Sequence, residues 1–244
     1  MPQIRTLYSQ FADYYDTLHA DKDYAREVKK LEQLITSYKK SNGNALLDVG
    51  CGTGRHISYL KNNFFCTGID LNEGMLEVAR KKVKGVSFNQ ADMAKFRLHK
   101  KFDVITCLYC TIAYTLDIKT LQKTLSNFVG HLRPGGVAII EPYFTRETYV
   151  PNKPKLSRAE SDDVKIARVS MSWHKGNLVT RKRIMAVADK HRGVFSFEDI
   201  SDIALFGTDQ ILSEMEHSGL KTRYFKKGIS KEFGLYVGVK DLEK

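Results

Sequence analysis

From Tyr24 to Tyr38 the apolar residues Val28, Leu31, Leu34 and Ile35 recur at helical spacing among Lys and Glu, which predicts an amphipathic helix. A turn signal, Ser41-Asn42-Gly43-Asn44, separates it from Ala45-Leu46-Leu47-Asp48-Val49, a short apolar run of the kind a buried parallel strand requires. The alternation then repeats. Helices are predicted over 55–62, 72–82 (with Asn72 as N-cap) and 121–132, and strands over 65–70, 86–90, 102–107 and 137–141, the last behind the breaker cluster Arg133-Pro134-Gly135-Gly136. Strands alternating with helices at this spacing predict an α/β chain, a Rossmann-like doubly wound sheet. Beyond Pro142 the period changes to two. Residues 165–187 read as an antiparallel hairpin turning at His174-Lys175-Gly176-Asn177, residues 201–218 as helical, and 233–239 as a closing strand.

Length and composition add limits. A chain of 244 residues accommodates one elaborated domain. Met1 to Tyr24 carries Arg5, Asp13, Asp16, Asp21, Lys22 and Asp23, so it is no signal sequence, and no apolar run approaches the roughly 18 residues a membrane span needs. A cytoplasmic protein with no membrane partner is the expectation. Cys107-Leu108-Tyr109-Cys110 spells C-x-x-C, but no second pair or close His pair accompanies it, so no metal is expected and the thiols are read as packing groups. The net charge of +11 is spread along the chain rather than gathered in one arm. That pattern argues against a dedicated nucleic-acid binder while favouring an anionic partner.

The chemistry concentrates where predicted strands end. Asp48-Val49-Gly50-Cys51-Gly52-Thr53-Gly54 is a glycine loop between a strand and a helix, where a ligand approaches backbone closely. Its spelling is G-x-G-x-G with an acid ahead of it, not the G-x-G-x-x-G of a pyrophosphate site. The acid fits a cationic ligand, and S-adenosylmethionine carries an ammonium and a sulfonium without phosphate. Asp70 ends the second strand, where a carboxylate accepts both hydroxyls of a ribose. Asp92 and Met93 follow the third strand, placed to meet an adenine amine and cover its ring. Leu108 and Tyr109 follow the fourth and would wall the adenine. Any one of these acids alone reads equally well as a cap or a turn residue. The order of the set carries the argument.

With those residues on the page, the sequence resembles the class I S-adenosylmethionine-dependent methyltransferases over about Tyr14 to Val239. Leu46 to Gly54 matches the glycine motif, Gly68-Ile69-Asp70-Leu71 with Met75 the acidic motif, and Asp92-Met93, Phe102 to Ile105 and Leu132 to Gly136 the later ones. Tyr15-Asp16 with Lys22-Asp23-Tyr24, then Glu141-Pro142-Tyr143-Phe144, Ala167 to Ser170, Thr180-Arg181 and Gly234 to Val239 are similar to the nucleotide-amino-sugar N-methyltransferases of deoxysugar pathways (desosamine and mycaminose types).

The resemblance implies a single domain over 1–244, with an amino-terminal helical lid over 1–40 and an antiparallel insertion over 143–207 that offers a surface for pairing two copies. It implies S-adenosylmethionine as cofactor, held by Tyr24, Asp48, Gly50, Gly52, Gly54, Asp70, Leu71, Met75, Asp92, Met93, Leu108 and Tyr109. The expected acceptor is a small molecule, an amine ahead of an alcohol. Tyr15, His19 and Tyr114, beside Tyr109, are the candidates for handling it. An RNA methyltransferase and a non-catalytic cofactor-binding protein stand as the alternatives.

Overall fold

A computed structural model of the chain describes residues 6–230 and 233–242, so residues 1–5 of the expected lid lie outside it. After two short 3₁₀ turns come α1 (Tyr15–Leu18) and α2 (Tyr24–Tyr38), the second capped by Asp23, whose carboxylate accepts the Arg26 N–H at 2.9 Å. The alternating part is β1 (Ala45–Val49), α3 (Arg55–Leu60), β2 (Phe65–Asp70), α4 (Glu73–Lys82), β3 (Ser87–Gln90), β4 (Phe102–Cys107), α5 (Ile118–His131) and β5 (Leu132–Ile140). Strands β6 (Lys155–Glu160), β7 (Val164–Lys175), β8 (Leu178–Asp189) and β9 (Gly193–Ala204) follow. The chain closes with α6 (Thr208–His217), β10 (Leu220–Phe225) and β11 (Leu235–Lys240).

Seven strands form one sheet in the order β10-β11-β5-β4-β1-β2-β3, parallel except for β11, which runs antiparallel to both neighbours. The pleat sorts side chains onto two faces. Leu46, Val104, Val137 and Ile139 meet Val28, Leu31 and Ile35 of α2, while Leu47, Val49, Ile105 and Ile140 meet Leu121, Leu125 and Phe128 of α5. Each fully buried aliphatic side chain of these layers contributes about 1.5–3 kcal/mol. Every parallel strand therefore delivers its carboxyl end to one edge of the sheet.

The remaining strands form a separate antiparallel sheet, β6-β7-β8-β9. Its inner face packs on the amino-terminal segment: Leu7, Tyr14 and Leu18 are buried against Ile166, Met185, Val187 and Phe197. Its end packs on the turn after β4, with Val179 and Ile203 against Ala113. The first segment of the chain is thus held between the two sheets.

Several sequence expectations shift. The helix read over 201–218 is a strand as far as Ala204 and a helix only from Thr208. Strands β6, β10 and most of β9 had no apolar alternation to announce them. The breaker cluster Arg133 to Gly136 is absorbed into β5, which starts at Leu132 through an irregular register with β4. Asn72 occupies the N-cap of α4, yet its side chain donates to Asp70 at 3.1 Å rather than capping the helix.

Candidate active site

A cavity of about 410 Å³ opens between the carboxyl ends of the parallel strands, the amino-terminal segment and the inner face of the antiparallel sheet. One half is built on the glycine loop. Gly50 and Gly52 have φ of +68° and +55°, and a Cβ at Gly50 would lie 2.3 Å from the Thr111 methyl. Neither position admits a side chain without strain, so the loop keeps bare backbone toward the cavity. Asp70, Leu71, Met75, Asp92 and Met93 line the same half. The Asp70 carboxylate accepts the Gly52 N–H at 2.9 Å and the Asn72 N–H at 2.9 Å, which braces loop and strand together. A carboxylate has about four lone-pair sites; with the Asn72 side chain also donating to Oδ1, one site, on Oδ2, remains for a ligand hydroxyl. Burial pushes its carboxyl above the usual range, opposed by those N–H groups. Asp92 accepts the Ala94 N–H at 2.8 Å and stays partly exposed.

Four of the expected cofactor residues stand behind the cavity wall. Asp48 lies beneath the loop, 3% exposed, accepting from the Thr106 hydroxyl at 2.7 Å; burial raises its carboxyl to about 6. Gly54 packs against Ala79 and Phe88, and Leu108 belongs to the core below. Tyr24 is buried edge-on to His56, with Lys22 and Arg55 on its ring at 4.9 and 5.0 Å. These four fix the loop's shape and charge from outside rather than lining the space.

The amino-terminal segment is tied down through one carboxylate. Asp16 accepts the Thr53 hydroxyl of the glycine loop at 2.6 Å, pairs with Lys82 of α4, and has Arg55 at 3.9 Å. Lys22 stacks 3.7 Å above the Tyr109 ring and pairs at 3.1 Å with Glu27, which in turn meets His56 at 2.9 Å. Tyr109 and Cys110 both have positive φ, +50° and +69°. Such backbone costs of order 1–3 kcal/mol per residue and persists where surroundings over-determine it. Here the Tyr109 N–H donates at 3.0 Å to the fully buried Glu141, whose other oxygen takes the Ser230 N–H at 3.0 Å.

The second half of the cavity is aromatic and cationic. Tyr15, His19 and Tyr114, the candidates for handling the acceptor, all line it with Tyr109. His19 Nδ1–H donates to the Tyr15 carbonyl at 2.8 Å, leaving Nε2 as an acceptor, and burial pushes the imidazole down to about 4. Burial likewise raises the Tyr8, Tyr15 and Tyr109 hydroxyls, so all three are protonated at neutral pH.

Residues that sequence reasoning missed complete this half: Tyr8, Tyr143, Arg168, Arg181 and Arg183. The Tyr8 and Tyr114 hydroxyls are 3.0 Å apart, and Arg181 donates to Tyr114 at 2.7 Å. Two signals were available: Tyr143, Arg168 and Arg181 fall in the stretches similar to the amino-sugar N-methyltransferases, and the period-two pattern of 178–187 puts Arg181 and Arg183 on a single face. Among the described residues no group of three or more His, Cys, Asp or Glu is placed to hold a metal.

A strand order of this kind, with a glycine loop after β1 and acids ending β2 and following β3, defines a class I methyltransferase. Residues 46–136 match the family described as methyltransferase domain. The dTDP-3-amino-3,4,6-trideoxy-alpha-D-glucopyranose N,N-dimethyltransferase of Streptomyces venezuelae is 34% identical over 231 residues, 93% of this chain and 97% of that one. The crystal structure of Streptomyces venezuelae DesVI superposes with a TM-score of 0.88 at 34% identity, covering 94% of this chain and 98% of the other. That of CalS10, an amino pentose methyltransferase from Micromonospora echinaspora solved with S-adenosylmethionine bound, has a TM-score of 0.83 at 24% identity over 95% and 96% of the two chains and shares the fold. The chain belongs to the S-adenosylmethionine-dependent methyltransferases, in the family of the dTDP-amino-sugar N,N-dimethyltransferases. It is an enzyme that transfers a methyl group to a small-molecule acceptor.

Proposed function

We propose that this enzyme methylates the amino group of a nucleotide-linked amino sugar. The observation that carries the reading is the polarity of the cavity: acids, Asp70 and Asp92, on the cofactor side, and bases, Lys153, Lys155 and Arg168, on the other, with neutral tyrosines between. A cationic cofactor suits the first side and an anionic nucleotide the second. The neutral tyrosines between, backed by Arg181 and Arg183 rather than by acids, suit a neutral amine.

In this reading S-adenosylmethionine supplies an activated methyl group. Gly50 and Gly52 receive it on bare backbone, Asp70 accepts a ribose hydroxyl, and Leu71, Met75, Asp92, Met93 and Tyr109 enclose the adenosine. Asp48, Gly54, Tyr24 and Leu108 support that pocket from behind. Tyr15, His19 and Tyr114 orient the acceptor, and the aromatic walls exclude water, so alignment and desolvation provide the acceleration. Residues 1–40 act as a lid and 143–207 as the acceptor-binding insertion of one domain.

We further propose pairing of two copies through the outer face of the insertion. Leu156, Val169 and Ile184 form one cross-strand row there, exposed by 78, 56 and 45%. Light scattering would detect the pair, and an unaltered mass for Val169→Asp would overturn this interface. No helix among the described residues is long and apolar enough to cross a membrane. Four free cysteines and a nucleotide-activated substrate fit the cytoplasm.

The test is turnover with S-adenosylmethionine on dTDP-linked 3-amino and 4-amino sugars, the free amino sugars and tRNA, read by mass spectrometry of the acceptor. One or two added methyl groups on a nucleotide sugar is the expected result. Turnover on tRNA alone would refute it.

A further inference from the structure

Arg181 and Arg183 lie two residues apart on the inner face of β8, and β9 opposes them with Ser201 and Asp199 at the paired positions. Asp199 is fully buried and pairs with Arg183, while Ser201 Oγ accepts from both guanidinium groups at 3.2 Å. The Leu7 N–H, donating to Asp199 at 3.2 Å, uses part of the same carboxylate. Two cations thus share one counter-ion. The Nε atoms of both arginines are buried without a hydrogen-bond partner among the described residues.

Both arginines line the cavity beside the turn that follows β4. Arg181 donates to Tyr114, and its guanidinium lies 5.3 and 5.7 Å from the centres of the Tyr143 and Tyr114 rings. Tyr114 belongs to the 3₁₀ turn Thr111–Thr115, whose first side chain fills the space beside Gly50. Arg181 is therefore anchored to the same short turn that packs against the glycine loop.

Among the described residues no negative charge answers it on that side. The amino-terminal segment presents Tyr8, Tyr15 and His19; the segments after β4 and β5 present Tyr109, Tyr114 and Tyr143; β7 presents Arg168, and the rim Lys153 and Lys155. Burial holds Tyr8, Tyr15, Tyr109 and Tyr143 protonated and His19 neutral. Apart from Asp199, the cavity carboxylates among the described residues are Asp70, at the end of β2, and Asp92, just after β3. On β8 itself, Lys182 pairs with Glu198 at 2.9 Å.

We propose that Arg181 and Arg183 exclude the ammonium form of the acceptor, so that the free amine is the species methylated and no general base takes part. This rests on the amine reading above. The nitrogen lone pair forms the new N–C bond as the C–S bond breaks and its electron pair stays on sulfur. The product is a methylated ammonium, which gives one proton to water on leaving. Transfer moves a positive charge already in the cavity, whereas an ammonium acceptor would bring a second. Repulsion of that second charge at this range, in a partly shielded site, corresponds to roughly one pH unit.

The test uses the full chain, S-adenosylmethionine and a dTDP-linked 3-amino sugar. The acid limb of kcat reports ionisation in the bound complex. For the native enzyme it is expected about one pH unit below the amine's own pKa. In Arg181→Gln it moves up toward that value, and in Arg181→Lys it returns. A purely structural role lowers kcat at every pH and leaves the limb in place, which would overturn the proposal. Independently of any variant, the bound amine's pKa can be read by NMR in the native complex with S-adenosylhomocysteine; a value equal to the free amine's would also overturn it. Product NMR separates the two readings. A methyl on oxygen removes the amine assignment and this proposal together, while a methyl on nitrogen with an unshifted limb removes this proposal alone.

Discussion

Replacing Asp48 with asparagine sets folding against cofactor binding at one buried atom. The carboxyl is raised from 3.8 to about 6, first by burial, against the pull of His56 and the Thr106 hydroxyl. A raised carboxyl binds its proton more tightly when folded, so Asp48 favours folding at about pH 4 and loses that contribution as pH rises through 6. A shift of about two units corresponds to roughly 3 kcal/mol. Asparagine preserves the acceptor for Thr106 but never ionises. Its amide brings a buried donor that costs about 1–3 kcal/mol at every pH if unpaired. The informative quantity is therefore the pH dependence of the difference between the two proteins. Urea unfolding at intervals from pH 4 to pH 8 should show Asp48→Asn gaining about 3 kcal/mol on the native protein across that range. Calorimetric titration with S-adenosylmethionine at pH 8 should show the opposite, weaker binding by about tenfold, because a negative charge under the loop attracts a cation. Parallel stability curves would refute the burial argument, and unchanged affinity would refute the electrostatic one.

Two further perturbations address the loop and its tether. Gly50→Ala forces a side chain into left-handed backbone and onto Thr111; a stability loss of about 1–2 kcal/mol and at least tenfold weaker cofactor binding are expected, by thermal unfolding and calorimetry. Asp16→Ala frees the amino-terminal segment from Thr53 and Lys82, so amide exchange should accelerate over residues 6–19 while the parallel sheet keeps its protection. Unchanged exchange there would show that the segment's contacts with the antiparallel sheet, the apolar ones of Leu7, Tyr14 and Leu18 and the polar ones of Asp13 with Arg192 and Tyr14 with Asp189, suffice to hold it.

The parallel core was legible because its strands are buried on both faces and read as apolar runs, and because the glycine loop and its acids fall at strand ends in chain order. The antiparallel sheet was legible only in part. β7 and β8 show their period, but in β9 the buried positions include Asp199 and Ser201, both at 0% exposure, so the apolar alternation fails. It fails because those positions hold arginines rather than pack a core. Strand β10 sits at the sheet edge with Lys221 and Arg223 exposed, which removes its signal as well. The acceptor half of the site escaped for the same reason. Arg181 and Arg183 read as ordinary surface charge until the register with β9 turns them inward. Tyr15, His19 and Tyr114 were found because the resemblance pointed to the lid and to the segment after β4.

The two faces of β8 have a bearing on how this enzyme can change over time. Arg181 and Arg183 lie on the face with Asp199 and Ser201, while Lys182 and Ile184 alternate onto the opposite face, where Lys182 pairs with Glu198 and Ile184 is exposed. With a period of two, one residue added or removed between Leu178 and Arg181 would turn every following side chain through the sheet. It would send the cations outward and an aliphatic residue into the pocket in a single mutational event. Point substitutions on either face carry no such penalty. Lineages of this enzyme should therefore explore new acceptors by altering the identity of residues in this strand while its length stays fixed.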